Sequence, residues 1–253
     1  MSTVSAPLAD SAIMLRRNFK HTVRNPVTLF NALLMPIVMM LMFVYVFGGA
    51  FDVGGSYIDY ATPGMIMMAI SYGLSATATA VNSDMTKGII NRFKVMDVSR
   101  GAVLTGHVVA TVLRTVVVLA AVIGVAFLMG FSPAATFSQW LAVTGMLLLV
   151  VFAVSWITIA LGLAAKTAES AGFATVPLIM LPFFSSAIVP ADKMGPGIRE
   201  FAEYQPFTSI IESVRGLLHG TPSNGQTIAA IAWSAGIAVV GYVWARTKFN
   251  KRA

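Results

Sequence analysis

Few side chains in this sequence are equipped for chemistry, and their spacing says which chemistries are missing. The three histidines, His21, His107 and His219, fall on separate segments, and no H-E-x-x-H run joins any of them into a metal site. A phosphate-cradling loop reads G-x-x-x-x-G-K-[ST]. The nearest approach, Gly162 to Thr167, reads G-L-A-A-K-T and lacks the glycine before its lysine, so ATP binding by this chain is not expected. No G-x-S-x-G is present, and Ser185-Ser186 reads as helix packing or a backbone hydrogen bond rather than as a nucleophile. There is no cysteine, which removes disulfides, thiolate metal sites and thiol catalysis. Carboxylates are essentially absent from the apolar runs, so a proton or sodium relay has no obvious acid. The chain is therefore expected to be no enzyme and to hold no metal or cofactor of its own.

The polar pattern that does stand out is Asn82 to His107, an interruption in a very apolar sequence. Ser83-Asp84 offers a helix N-cap, after which Met85, Ile89 and Phe93 recur on one face and Lys87, Asn91 and Lys94 on another, with Arg92 beside them. That is a short amphipathic helix with a cationic face, suited to a membrane surface. Two readings fit it: a solvated loop held near anionic lipid, or a docking element for a cytoplasmic partner.

The elements that must position this stretch follow from composition. Of 253 residues, 57% are hydrophobic and 11% charged, against about a quarter charged in a soluble domain. Continuous apolar runs of about twenty residues read as membrane-spanning helices, and their lack of alternation argues against a barrel. The net charge of +7 lies in clusters flanking the spans, which suits lipid headgroups and not nucleic acid. The N-terminal region does not read as a cleavable signal peptide, since a polar stretch precedes an apolar run too long for one.

In order, residues 1–27 form a cytoplasmic N-terminus with an amphipathic interfacial helix, capped at Asp10-Ser11 and ended at Asn25-Pro26. Spans are expected at about 28–48, 61–82, 111–130 (within an apolar stretch 103–130), 137–165, 171–189 and 227–245, so that 28–245 is one six-helix transmembrane domain. Residues 190–226 are polar and irregular, with a helix at about 207–219 ended by Gly220, and 246–253 is a basic cytoplasmic tail. The fold class is all-α membrane protein. Counting Lys and Arg puts thirteen on the side of both termini and the 82–107 stretch and three on the other, so that side is cytoplasmic. Arg114, uncounted, either snorkels from a shallow position to the headgroups or is buried at a subunit interface. Seven of the fifteen methionines lie in the first two spans, as core or lipid-facing filler or as an adaptable apolar surface. Met39, Phe43, Phe47, Met68, Tyr72, Phe183 and Phe184 are the candidate walls of a path, and Pro177 and Pro182 are expected either to kink the fifth span or to serve a helix that re-enters the membrane near Pro190.

Three segments carry a resemblance. The run Gly88-Ile89-Ile90-Asn91-Arg92-Phe93-Lys94, followed by Val98-Ser99-Arg100-Gly101-Ala102-Val103-Leu104-Thr105-Gly106, resembles the cytoplasmic segment of ABC exporter permeases of the type-2 membrane family, in the daunorubicin-resistance (drug-efflux) branch. Phe183-Phe184-Ser185-Ser186-Ala187-Ile188-Val189-Pro190 and the run from Gln205-Pro206-Phe207-Thr208 to Glu212-Ser213-Val214-Arg215-Gly216-Leu217-Leu218 match in the same order and spacing. Asp97 stands where that branch has proline, and Gln205 where it has asparagine. The resemblance implies a permease subunit pairing with a second copy or a sister permease and served by two copies of a separate cytoplasmic ABC ATPase, which binds the ATP and magnesium. It implies that 84–95 is the coupling helix, with Met85, Lys87, Ile89, Arg92, Phe93 and Lys94 as ATPase-coupling residues, and that 190–220 is an extracellular re-entrant cap. The cargo it implies is a hydrophobic or amphipathic drug-like molecule; a lipid-linked glycan or lipid, or an ion-driven carrier, are the alternatives.

Overall fold

The structure, a computed structural model, describes residues 26–51, 53–86 and 100–252, and among these every regular element is helical. The first helix, α1 (Pro26–Leu41), runs on through a π-helical turn, Met42–Phe47, and a 3-10 turn, Gly48–Ala50. Pro26 stands at its start, where a missing N–H costs nothing. The next apolar run is broken in two, α2 (Tyr57–Tyr72) and α3 (Leu74–Thr86), at Gly73. Next come α4 (Arg100–Leu128) and α5 (Phe137–Ala164). Thr136 caps α5 reciprocally: it accepts from the Gln139 N–H at 3.4 Å while its own N–H donates to Gln139 Oε1 at 2.7 Å.

Five stretches are long and apolar enough to cross a membrane: Leu33–Ala50, Tyr57–Thr86, Leu104–Leu128, Phe137–Ala164 and Asn224–Lys251. The expected fifth span behaves differently. Its apolar helical part, Ala168–Phe184, is shorter and is cut into α6 (Ala168–Phe173), α7 (Val176–Met180) and a 3-10 turn, Leu181–Phe184. Pro177 and Pro182 each stand in the first turn of the new piece, so they divide the segment where a kink had been expected. A 3-10 turn, Ala191–Lys193, and two helices follow, α8 (Ile198–Tyr204) and α9 (Pro206–Leu218), before α10 (Asn224–Arg252). Gly220 ends the α9 turn with a φ of 74°, a left-handed value that favours glycine.

One expectation is corrected here. Ser83-Asp84 caps no helix: both lie inside α3, which Val81 and Met85 hold to one apolar cluster through Thr86. Helix α4 runs without a break from Arg100, and its stretch apolar enough to cross a membrane is Leu104–Leu128. Helix α10 continues through the basic residues Arg246, Lys248 and Lys251. The interfacial helix expected before Asn25, and Lys87, Ile89, Arg92, Phe93 and Lys94, lie outside the described residues.

Apolar burial falls into two clusters. One joins α1, α2, the far half of α4, the first half of α5 and α9; its members include Met65, Met67, Ile70, Val122, Val150 and Ile211. The other joins α3, the start of α4, and the ends of α5 and α10 through Val81, Leu104, Val108, Ile159, Leu163 and Phe249. The second lies at the basic end of the bundle, with Lys166, Arg246, Lys248 and Lys251; the first reaches the opposite, cap end, where α8 and α9 sit. Two glycines permit close approaches of long helices. A Cβ on Gly162 would stand 2.6 Å from the Ala78 carbonyl oxygen, and one on Gly241 would stand 2.7 Å from the Ile157 nitrogen. Gly162, the first residue of the failed phosphate loop, is therefore a helix-packing glycine.

Candidate functional site

At the cap end, α9 inserts a nearly all-buried face (Phe207, Ile210, Ile211, Val214, Leu218) among α2, α5 and α10. Arg215 rides on that same helix and goes down with it, its side chain 10% exposed. Such burial is tolerable only if every donor finds an acceptor. Nε donates to the Tyr60 carbonyl at 3.1 Å, Nη2 donates to the Ser186 carbonyl at 2.7 Å, and Nη1 pairs with Glu212. The guanidinium also lies over the Tyr60 ring, 3.8 Å from its centroid. The Tyr60 hydroxyl donates to the same Ser186 carbonyl at 2.8 Å, and Tyr57 donates to Ile188 at 3.2 Å. One cation thus ties α2, α9 and the 185–190 segment together. Beneath that segment, a Cβ on Gly64 would stand 2.4 Å from the Ala187 oxygen.

Beside this tie open two adjoining cavities. One, of about 640 Å³, is bounded by Asp59, Tyr60, Glu212, Arg215 and His219 with the 53–56 loop; the other, of about 420 Å³, by Tyr60, Asp192, Glu203, Thr208 and Glu212. Polar and apolar groups share their walls; the first carries Asp59 and Glu212 together with Arg215, and the second carries the acids Asp192, Glu203 and Glu212. Asp59 is occupied structurally, accepting from the Ser132 N–H at 2.8 Å. Among the described residues no group of three or more His, Asp or Glu side chains is placed to hold a metal. Arg215 and Tyr60 were not singled out from the sequence. The available signal was a cation on the apolar face of a helix, three residues from Glu212.

The path candidates are not brought together around these cavities; none of the seven lines either one. Phe43 and Phe47 touch, centroids 5.8 Å apart, with Phe47 exposed. Met68 is buried in the core of α2, and Tyr72 is half-buried beside the Gly73 break. Phe183 packs on the cap-end cluster, Phe184 meets Phe201 of α8 edge-on at 6.4 Å, and Met39 is half-buried on α1.

At the basic end, the described part of the stretch expected to couple is buttressed. Met85 packs on the basic-end cluster, and His107 Nε2 stands 3.3 Å from Asp84 Oδ2, linking the end of α3 to the start of α4. Asn82 donates from Nδ2 to the carbonyls of Gly162 at 3.0 Å and Ala165 at 2.7 Å, satisfying the final turn of α5. Arg114 neither snorkels nor faces away from the chain. Its Nη2 donates to the Gly73 carbonyl at 3.1 Å and to Thr77 Oγ1 at 2.6 Å. Arg114 stands ten residues into the apolar stretch that begins at Leu104, with its guanidinium turned to the break between α2 and α3.

With this geometry in view, the chain was compared with known proteins. A family model for the ABC-2 type transporter matches residues 11–219. The chain belongs to the ABC-2 type transporter family. It is 35% identical over 241 residues to the daunorubicin resistance ABC transporter permease protein DrrB1 of Streptomyces coeruleorubidus, covering 93% of this chain and 83% of that one. It is 27% identical over 247 residues to the probable doxorubicin resistance ABC transporter permease protein DrrC of Mycobacterium tuberculosis, covering 92% and 85%. A third relative, the putative transport permease ycf38 of Porphyra purpurea, is 25% identical over 229 residues. The match of this ABC-2 family member to its relatives takes in both α9 with its buried Arg215 and the α3–α4 pair.

Proposed function

We propose that this chain is the transmembrane permease subunit of an ATP-driven exporter in the cell membrane, moving a hydrophobic or amphipathic drug-like molecule outward. The observation that carries this reading is 35% identity across 93% of the chain to a daunorubicin resistance permease. Two cytoplasmic ABC ATPase subunits supply ATP and magnesium, and a second permease copy or a sister permease completes the path. Both termini are cytoplasmic, and Ala168–Phe184 with the segment that follows makes a sixth, broken passage ending in an extracellular cap. The 84–95 stretch docks on the ATPase through Met85, Lys87, Ile89, Arg92, Phe93 and Lys94. Nucleotide binding to the partner changes the relative free energies of inward- and outward-open states, and hydrolysis resets them. Met39, Phe43, Phe47, Tyr72, Phe183 and Phe184 wall the path, and Met68 joins them once α2 separates from its neighbours.

The test is co-purification of the chain with an ATPase carrying the phosphate loop, followed by efflux of an anthracycline from vesicles holding the purified complex. Phe93→Asp is expected to abolish either the association or ATP-dependent efflux. Efflux that persists without any ATPase, or labelling that puts Asp84 on the outer face, overturns the proposal.

A further inference from the structure

We propose that Arg114 is a positioning residue for transport: it clamps the broken second span to α4, so that α3 and α4 swing as one lever about Gly73. The inference rests on the ATP-driven reading above for its functional half only. Its structural half stands on four observations.

The first is place. Arg114 is ten residues into the apolar stretch Leu104–Leu128, about 15 Å along the helix from its start and away from both of its ends. A cation there is expensive and is retained where it has a task. The second is where its bonds go. Both run from Nη2 to the break between α2 and α3, one to the Gly73 carbonyl at the break itself and one to the Thr77 hydroxyl in the first turn of α3. The third is that these bonds begin a polar seam down the α3–α4 boundary. Thr77 Oγ1 lies 3.0 Å from Thr111 Oγ1, Thr111 donates to the His107 carbonyl at 2.8 Å, and His107 meets Asp84 at 3.3 Å. The last is that the seam adds to a narrow apolar contact between the two helices, that of Val81 with Leu104 and Val108 at the basic end. The backbones of α3 and α4 approach each other sparsely, while α3 packs chiefly on α5 and α6. Moreover, the two apolar clusters divide at this level, sharing only Val112, two residues from Arg114.

The helices so joined are those that enter and leave residues 87–99, where a partner's force would arrive. With the seam intact, a push on either helix moves both, and the cap-end half, α2, follows through the guanidinium at Gly73. Without it, α3 moves alone and the push is dissipated at the break.

The absence of native cysteine gives a clean background for the test. Spin labels are placed at Ala80→Cys on α3 and Val109→Cys on α4, both exposed positions outside the seam. Their distance distribution is read by electron paramagnetic resonance in the full-length permease, with and without Arg114→Leu. The same variant is assayed with its ATPase for drug efflux per ATP hydrolysed. The expected result is a broadened distance distribution and efflux per ATP lowered about tenfold, the factor carried by one charge-assisted hydrogen bond, with the drug KM unchanged. Should Arg114→Leu fail to accumulate in the membrane, Thr77→Val, near-isosteric and removing one acceptor, is expected to shift both readouts in the same direction by about threefold. An unchanged distance distribution overturns the proposal, and so does a broadened one with efflux per ATP unaltered. Should wild type itself show no ATP-dependent efflux, the ATP-driven reading fails while the distance measurement still decides the clamp.

Discussion

Replacing Arg215 by methionine tests the cap most directly, because one side chain there holds three segments. Methionine keeps the stem's packing on Tyr60 and removes only the charged fork. Breaking a buried pair by deleting one partner costs about 3–5 kcal/mol. The low end applies, since the Glu212 carboxylate left behind is 33% exposed and can rehydrate. Two carbonyls, of Tyr60 and Ser186, lose charged donors, and the ring contact at 3.8 Å goes with them. About 3 kcal/mol makes opening of the 185–190 segment about 100-fold more frequent. The reporter is Ser186→Cys, 1% exposed, whose buried hydroxyl has no hydrogen-bond partner among the described residues, so the exchange to sulfur removes no bond seen there. In detergent micelles, maleimide labelling of this thiol is expected to quicken about 100-fold with Arg215→Met and about fivefold with Tyr60→Phe, which loses only the hydroxyl bond to Ser186. Labelling within threefold of the parent rate in Arg215→Met would refute the account of Arg215 as the tie.

Three further outcomes are expected. Gly64→Ala drives a Cβ to within 2.4 Å of the Ala187 oxygen, a backbone atom that cannot rotate away, and should lower the detergent melting temperature by several degrees, whereas Gly236→Ala meets nothing within 4 Å and should be neutral or mildly stabilising. Asn82→Ala leaves the Gly162 and Ala165 carbonyls short of a donor at a cost of about 1–3 kcal/mol, read as a lower melting temperature; an unchanged one refutes it. The Glu200 carboxyl is held below its usual range by hydrogen bonds from its own backbone N–H and that of Gly197. Its support for the start of α8 is thus complete above the unfolded glutamate pKa, about 4.3, and is lost as pH falls through the lower folded value. Protection of the Ile198–Glu200 amides, taken relative to intrinsic exchange at each pH, should fall over that acid window, and Glu200→Gln should remove that change.

What the sequence disclosed and what it withheld divide along a physical line. Length and continuity of apolar runs placed α5 within a residue of its observed ends and located four of the other spans, because a helix in hydrocarbon needs nothing beyond its own hydrogen bonds. Interruptions were harder. Pro177 and Pro182 signal a disturbance, but whether a helix bends or divides depends on what receives its freed carbonyls. Here the Gln205 side-chain amide, from another segment, ties off the last turn: its Nε2 donates to the Leu181 carbonyl at 3.3 Å and to the Phe184 carbonyl at 3.2 Å. The same holds for Ser83-Asp84, where local cap chemistry lost to Val81 and Met85 packing on a cluster built mostly by other helices.

The two arginines show the limit most clearly. In the sequence Arg215 counts as an external cation, while Arg114, left out of the count, reads as a shallow snorkeller or as buried at a subunit interface. Both instead turn inward to backbone carbonyls on α2, Arg215 to Tyr60 and Arg114 to Gly73. These acceptors carry no side-chain signature, because every residue has a carbonyl and only the fold decides which one is left accessible. Gly73 is accessible because the helix breaks there, and Tyr60 because α9 buries itself against α2. The second span is therefore held at both its cap-end start and its central break by cations from other helices. Motion of the basic-end half relative to the cap then has to exchange or strain one of these two sets of bonds, which is why substitutions at Arg114 and Arg215 should separate, the first altering coupling and the second altering closure of the cap.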